Sequence, residues 1–122
     1  MSLGIKVVQA GDVTILNASG RITHGEEMNA LRDALRNTAD EGQKKILLDL
    51  GEVSYIDSSG LGVLVSSYAH IQNAGGQLKL LHLTKRVQDL LVITKLHTIF
   101  DVYENEKSAL GSFVSLAAGK PA

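Results

Sequence analysis

Lys45-Ile46-Leu47-Leu48-Asp49-Leu50 decides the fold. Its aliphatic residues run on without alternating with polar ones, so neither side of an extended segment here is suited to water. That is the pattern of a strand covered on both faces, as in a largely parallel sheet with helices packed on it. Upstream, Met28, Leu31, Leu35 and Thr38 recur at steps of three and four, with Glu27, Arg32, Asp33, Arg36 and Asn37 mostly on other sides. This predicts an amphipathic helix over 26–40, with Glu26 and Glu27 in the dipole-favoured first turn and Gly42 as its stop. Before it, 20–25 reads as a turn. Residues 5–9 and 13–18 read as two strands joined by Ala10-Gly11-Asp12, a hairpin signal.

Downstream, a loop over 51–57 leads into a second helix at about 59–73. Its buried stripe is Leu61, Leu64, Val65, Tyr68 and Ile71 or Gln72, and Gly75-Gly76 ends it. A strand over 77–83 follows, then a helix over 84–94 with Val87, Leu90 and Leu91 facing inward. A last strand over 99–103 and a closing helix over 105–116, resting on Leu110, Phe113 and Val114, complete the chain. The class is α/β, with a mixed, mostly parallel sheet of about five strands flanked by about four helices. One domain is expected over 1–118, with 119–122 as a frayed tail. The single proline, Pro121, lies in that tail, and no repeat or low-complexity linker interrupts the body.

With 122 residues and 44% apolar content, the chain has the size and composition of one domain with a real core. The absence of cysteine excludes disulfides and thiolate metal sites. The formal net charge is −1 and the basic residues are scattered, with Lys44-Lys45 and Lys85-Arg86 the only doublets. Few aromatics and no basic stripe argue against nucleic acid. No signal peptide or membrane-length apolar run is visible, so a cytoplasmic protein is expected, away from the membrane.

Asp57-Ser58-Ser59-Gly60-Leu61-Gly62 lies where a loop turns into an apolar helix. Oxygen-bearing side chains are favoured there because the first helical N–H groups lack partners, so Ser58 or Asp57 is a natural cap. One cap suffices, however, and two serines follow the aspartate. Gly60 and Gly62 also sit in the first turns, where each glycine costs about 0.8–1.0 kcal/mol relative to alanine. That cost points to a need for bare, closely approachable backbone, which a partner surface or a phosphate would satisfy. A phosphate on Ser58 would meet free N–H groups and the positive end of the helix dipole. It would add about −1.5 to −2 charges beside Asp57, enough to eject a docked partner.

Ile56-Asp57-Ser58-Ser59-Gly60-Leu61-Gly62-Val63-Leu64 resembles the signature of the STAS domains of bacterial partner-switching systems, the anti-sigma-factor antagonists. Gly20-Arg21-Ile22 is similar to the family's turn before the first helix, Ile46 to Leu50 to its central strand, and Gly75-Gly76-Gln77-Leu78 to the entry of the next. The resemblance implies a non-enzymatic regulator without a cofactor. Unphosphorylated, it would bind an anti-sigma factor and free a sigma factor. The anti-sigma factor, itself a serine kinase, would phosphorylate Ser58, and a serine phosphatase would reset it. The resemblance also gives Asp57 a part in shaping the loop, and makes Ser59, Gly60, Leu61 and Gly62 contact surface and helix start. Where many members carry an aspartate after the turn glycine, this chain has Thr23 and His24, which fall in the partner-facing loop. A second departure, Thr94-Lys95-Leu96 in place of a glycine, touches only a local turn. The same fold also serves as an unphosphorylated scaffold or transport-associated module.

Sharper chemistry fits less well. A hydrolase elbow needs glycines two before and two after the serine. Ile56 breaks that pattern for Ser58, and Asp57 and Leu61 break it for Ser59. His24, His70, His82 and His97 belong to no metal or catalytic motif. A dinucleotide fingerprint fails at Val65, and no Walker loop occurs. Asp57 as a receiver-type phosphoacceptor lacks acidic companions beyond Asp12. No catalytic or metal residue is expected.

Overall fold

The computed structural model describes residues 3–23 and 25–113. Strands β1 (Gly4–Ala10), β2 (Val13–Ile22), β3 (Lys45–Ile56), β4 (Gln77–Leu81) and β5 (Val102–Tyr103) form one sheet in the order β1-β2-β3-β4-β5. β1 and β2 pair antiparallel across a two-residue turn, with Gly11 at φ 64°; every later pairing is parallel. Helices α1 (Glu26–Asp40), α2 (Ser58–Asn73), α3 (Lys85–Ile93) and α4 (Glu106–Ser112) complete the described architecture. The mixed, mostly parallel α/β sheet is thus the observed fold.

Alternate residues of a strand face opposite sides of the sheet, and here the sides are divided unequally. Ile46, Leu48 and Leu50 of β3 join Leu16, Ile22, Leu78 and Leu80 in the main core. On that side α1 brings Leu31 and Leu35, α2 brings Leu61, Leu64 and Ile71, and α3 brings Val87 and Leu91. The opposite side holds a smaller cluster of Val13, Ile15, Leu47 and Leu81 under Ala109 of α4 and Phe113, the residue that follows it. The apolar run that opened the sequence reading is therefore covered on both faces. Lys79 lies buried on the smaller side, its Nζ donating to the Ser112 carbonyl at 3.0 Å and lying 5.0 Å from the Phe113 ring centroid. Lys45 ties β3 to the hairpin by donating to Asp12 at 2.6 Å, a bond that holds the Asp12 carboxyl below its ordinary pKa.

Boundaries differ from the sequence reading where glycine sits inside a strand. β2 continues through Gly20 to Ile22, and β3 runs through Gly51 to Ile56, so the expected turn and loop are largely extended strand. Register shifts between Asn17 and Ser19 and between Gly20 and Arg21 let both strands carry on past irregular pairing. Gly51 makes room for its neighbours: a Cβ there would lie 3.0 Å from that of His82. β4 stops at Leu81 rather than 83 because His82 turns to φ 56°. The expected strand over 99–103 shrinks to two residues. Leu96–Thr98 form a 3-10 turn, and Phe100 is buried edge-on against Tyr68 at 5.3 Å between ring centroids. In α2 the expected inward residues Val65 and Tyr68 are half-buried, and Gln72 is exposed; Ile71 takes the buried place. α4 is described as far as Ser112, and the part of the expected closing helix beyond 113 lies outside the described residues. Among the described residues no helix is long and apolar enough to cross a membrane.

Leu48 is fully buried at the centre of the main core. Leu48→Ala is expected to lower unfolding free energy by about 2–5 kcal/mol, read as a lower urea midpoint at unchanged slope.

Candidate functional site

The last pair of the β2–β3 ladder, Ile22 and Ile56, places Thr23 and Asp57 beside each other where the strands end. The Asp57 N–H donates to the Ile22 carbonyl at 3.2 Å, which stitches the start of the next helix to β2. Asp57 is extended (φ −105°, ψ −177°), and its carboxylate accepts the Gly60 N–H at 3.0 Å. Asp57 is therefore the cap of α2. Ser58, the first helical residue, is left exposed with its hydroxyl not required for capping. This separates the two roles that the sequence left open between them.

The two glycines also separate. Gly60 is buried, and a Cβ on it would stand 2.7 Å from Ile56 Cγ1, 2.8 Å from Ile22 Cγ2 and 3.0 Å from the Ile22 carbonyl oxygen. Its bareness serves the chain's own packing. Gly62 is exposed, and a Cβ there would have nothing within 4 Å. Ser58, Gly62 and Ser66 follow at steps of four, so they share one face of α2, and all three are exposed. Ser59 is half-buried. Leu61 belongs to the main core and, like Gly60, supports this surface from beneath. Thr23 is half-buried and its hydroxyl donates to Glu27 Oε1 at 3.4 Å. His24 lies outside the described residues.

A groove runs from Ser58 to α3. Tyr55, Asp57 and Ser58 form one wall, and Lys85, Arg86 and Ile93 stand on the other. Ile93 is 75% exposed, a large apolar side chain left facing water at the groove's edge. The Arg86 and Arg21 guanidinium carbons each lie 5.1 Å from the centroid of the Tyr55 ring. Sequence reasoning missed this second wall. The Lys85-Arg86 doublet was visible, but only the fold shows that it stands across from Ser58.

The described histidines are engaged away from Ser58. His70 meets Asp40 at 3.1 Å, His82 meets Asp49 at 3.3 Å, and His97 faces the Leu91 carbonyl at 3.4 Å. No cluster of three or more His, Asp or Glu side chains suited to a metal ion occurs among the described residues. The arrangement offers a bare, exposed hydroxyl on a smooth helix face beside a cation-bearing groove.

Comparison with known proteins gives a consistent result. A family profile described as the STAS domain matches residues 4–109. An anti-sigma F factor antagonist of Paenibacillus polymyxa is 31% identical over 115 residues, covering 90% of this chain and 94% of the relative. An anti-sigma-B factor antagonist of Bacillus subtilis is 34% identical over 102 residues, covering 84% and 92%. Among solved structures, a Thermotoga maritima protein described as a candidate anti-sigma factor antagonist superposes with a TM-score of 0.81. It is 27% identical, and the match covers 88% of this chain and 92% of that one.

Three substitutions test the local reading through equilibrium unfolding. Asp57→Ala is expected to cost about 1 kcal/mol through loss of the cap. Gly60→Ala should cost about 1–3 kcal/mol because the Ile22 backbone cannot give way. Gly62→Ala should instead stabilise by about 0.5–1 kcal/mol.

Proposed function

The chain belongs to the STAS domain family, and on that footing we propose that it is an anti-sigma factor antagonist switched by phosphorylation of Ser58. In the unphosphorylated state the α2 face around Ser58, Ser59 and Gly62 docks on an anti-sigma factor, with Thr23 and Asp57 at its rim; His24 is included among the partner-binding residues from its place in the sequence alone. Occupation of the anti-sigma factor frees its sigma factor for transcription. The anti-sigma factor acts as the serine kinase. The Ser58 oxygen attacks the γ-phosphorus of ATP, the bond to the ADP oxygen breaks, and the serine proton passes to a base on the kinase. A serine phosphatase removes the phosphate and restores docking. Such partners place the protein in the cytoplasm, and its own role is that of a binding module, not an enzyme.

One observation carries this reading: Ser58 is exposed at the head of α2 while Asp57 does the capping. The hydroxyl is thus accessible to a visiting active site and its modification leaves the helix cap in place. Open space above Gly62, one turn further along the same face, lets a partner backbone approach closely. A dianion at position 58 would then be pressed against the docked protein beside the Asp57 carboxylate, and repulsion together with desolvation drives release.

Affinity for the anti-sigma factor, measured by calorimetry, tests the switch. Ser58→Ala is expected to bind as the unmodified protein does, and Ser58→Asp at least about tenfold more weakly. Incubation with the kinase and MgATP should modify the peptide carrying Ser58, and Ser58→Ala should abolish that. Continued modification of the alanine variant contradicts the site. Equal affinities of all three forms would indicate an unphosphorylated scaffold or transport-associated module.

A further inference from the structure

We propose that Arg86, assisted by Lys85, is a phosphoryl-binding site that captures the phosphate of Ser58 within the same chain. The inference rests on Ser58 as the phosphorylated residue and goes beyond it, since it says where the phosphate goes once attached.

Ser58, Lys85 and Arg86 line one groove. Lys85 is paired with Asp89 at 3.3 Å on the solvent side. Arg86 has no carboxylate partner among the described residues; it rests on the Tyr55 ring, which also carries Arg21. Two guanidinium charges therefore share one neutral ring beside the site. Lys85 and Arg86 also occupy the first turn of α3, where the dipole disfavours cations and where this helix has no acidic residue. A guanidinium in this position is held by a weak, reversible contact while its planar fork of donors remains available, and such a fork matches phosphate oxygens in pairs.

The unmodified groove does not use that capacity. Its carboxylates, Asp57 and Asp89, are committed to the α2 cap and to Lys85 respectively. Adding a phosphoryl group to Ser58 puts a dianion in this groove, whose lining cations are Arg86 and Lys85; Arg21 of β2 reaches it only through the Tyr55 ring. Capture by Arg86 folds the phosphate into the groove that ends at Ile93. The same event that introduces charge on the α2 face then also fills the neighbouring groove, so that two parts of the surface change together.

The test uses the full chain with phosphoserine installed at position 58 by genetic encoding, so that no kinase is involved. Phosphorus NMR reads the second ionisation of the phosphate as pH is varied. A nearby cation favours the dianion, so the midpoint in the parent should lie about half a pH unit or more below that in Arg86→Gln. Lys85→Gln should move it less, and Arg86→Lys should fall between parent and Arg86→Gln because charge is kept and the fork is lost. The Arg86 Nε–H resonance should also shift when Ser58 carries phosphate. Identical midpoints in the parent and Arg86→Gln overturn the proposal. So does an Arg86 resonance that responds to inorganic phosphate on the unmodified chain but not to phosphoserine, which would assign the groove to a free anion. Neither result bears on whether a kinase modifies Ser58, which peptide mapping decides separately.

Discussion

Where β2 and β3 end, Gly60 rests so close to the Ile22–Ile56 pair that the position has no space for a methyl group. This approach lets α2 begin directly on the ends of the two strands, within reach of the Asp57 carboxylate and of the backbone bond from Asp57 to Ile22. The apolar side of the helix is then committed to the core through Leu61, Leu64 and Ile71. Once that side is fixed, helical periodicity leaves Ser58 no direction but outward. The exposure on which the regulatory reading depends is thus a by-product of close packing several residues away.

Charge is the other half of the design. The protein is nearly neutral overall, with a formal net charge of −1, so a single dianion is a large perturbation. Most of the charged side chains that meet near the sheet are paired locally, as Lys45 is with Asp12 and Lys79 with the end of α4. The guanidinium groups around Tyr55 differ: an aromatic ring is their neighbour instead of an acid. That contrast is what marks the groove beside Ser58 as electrostatically unfinished in the unmodified chain.

Much of this was readable from the chain itself, for reasons that can be named. The unbroken aliphatic run Ile46-Leu47-Leu48 spoke for a doubly covered strand, and both α1 and α3 fall where their three- and four-step patterns place them. Gly20 and Gly51 misled because glycine signals a turn locally, whereas here each accommodates an irregularity inside a long strand. Position 82 stops β4 through a left-handed backbone on a histidine, which no composition rule anticipates. At the site, the motif and its place at a helix start were legible. The division of labour between Gly60 and Gly62 was not, because it depends on Ile22, almost forty residues away. The far wall of the groove was hidden for the same reason, since only tertiary structure brings α3 to Ser58.

The unequal covering of the sheet has a consequence for biosynthesis. Among the described residues the main core draws on none beyond Phe100, but Val13, Ile15, Leu47 and Leu81 are roofed by Ala109 and Phe113, which leave the ribosome later. A nascent chain therefore carries a greasy stripe across an otherwise assembled sheet until α4 is released, with the Lys79 ammonium at its margin still waiting for the Ser112 carbonyl. Premature termination just ahead of Glu106 would make that stripe permanent. Such a fragment is a natural client for chaperones and a seed for clumping, even though every strand of the sheet is already in place.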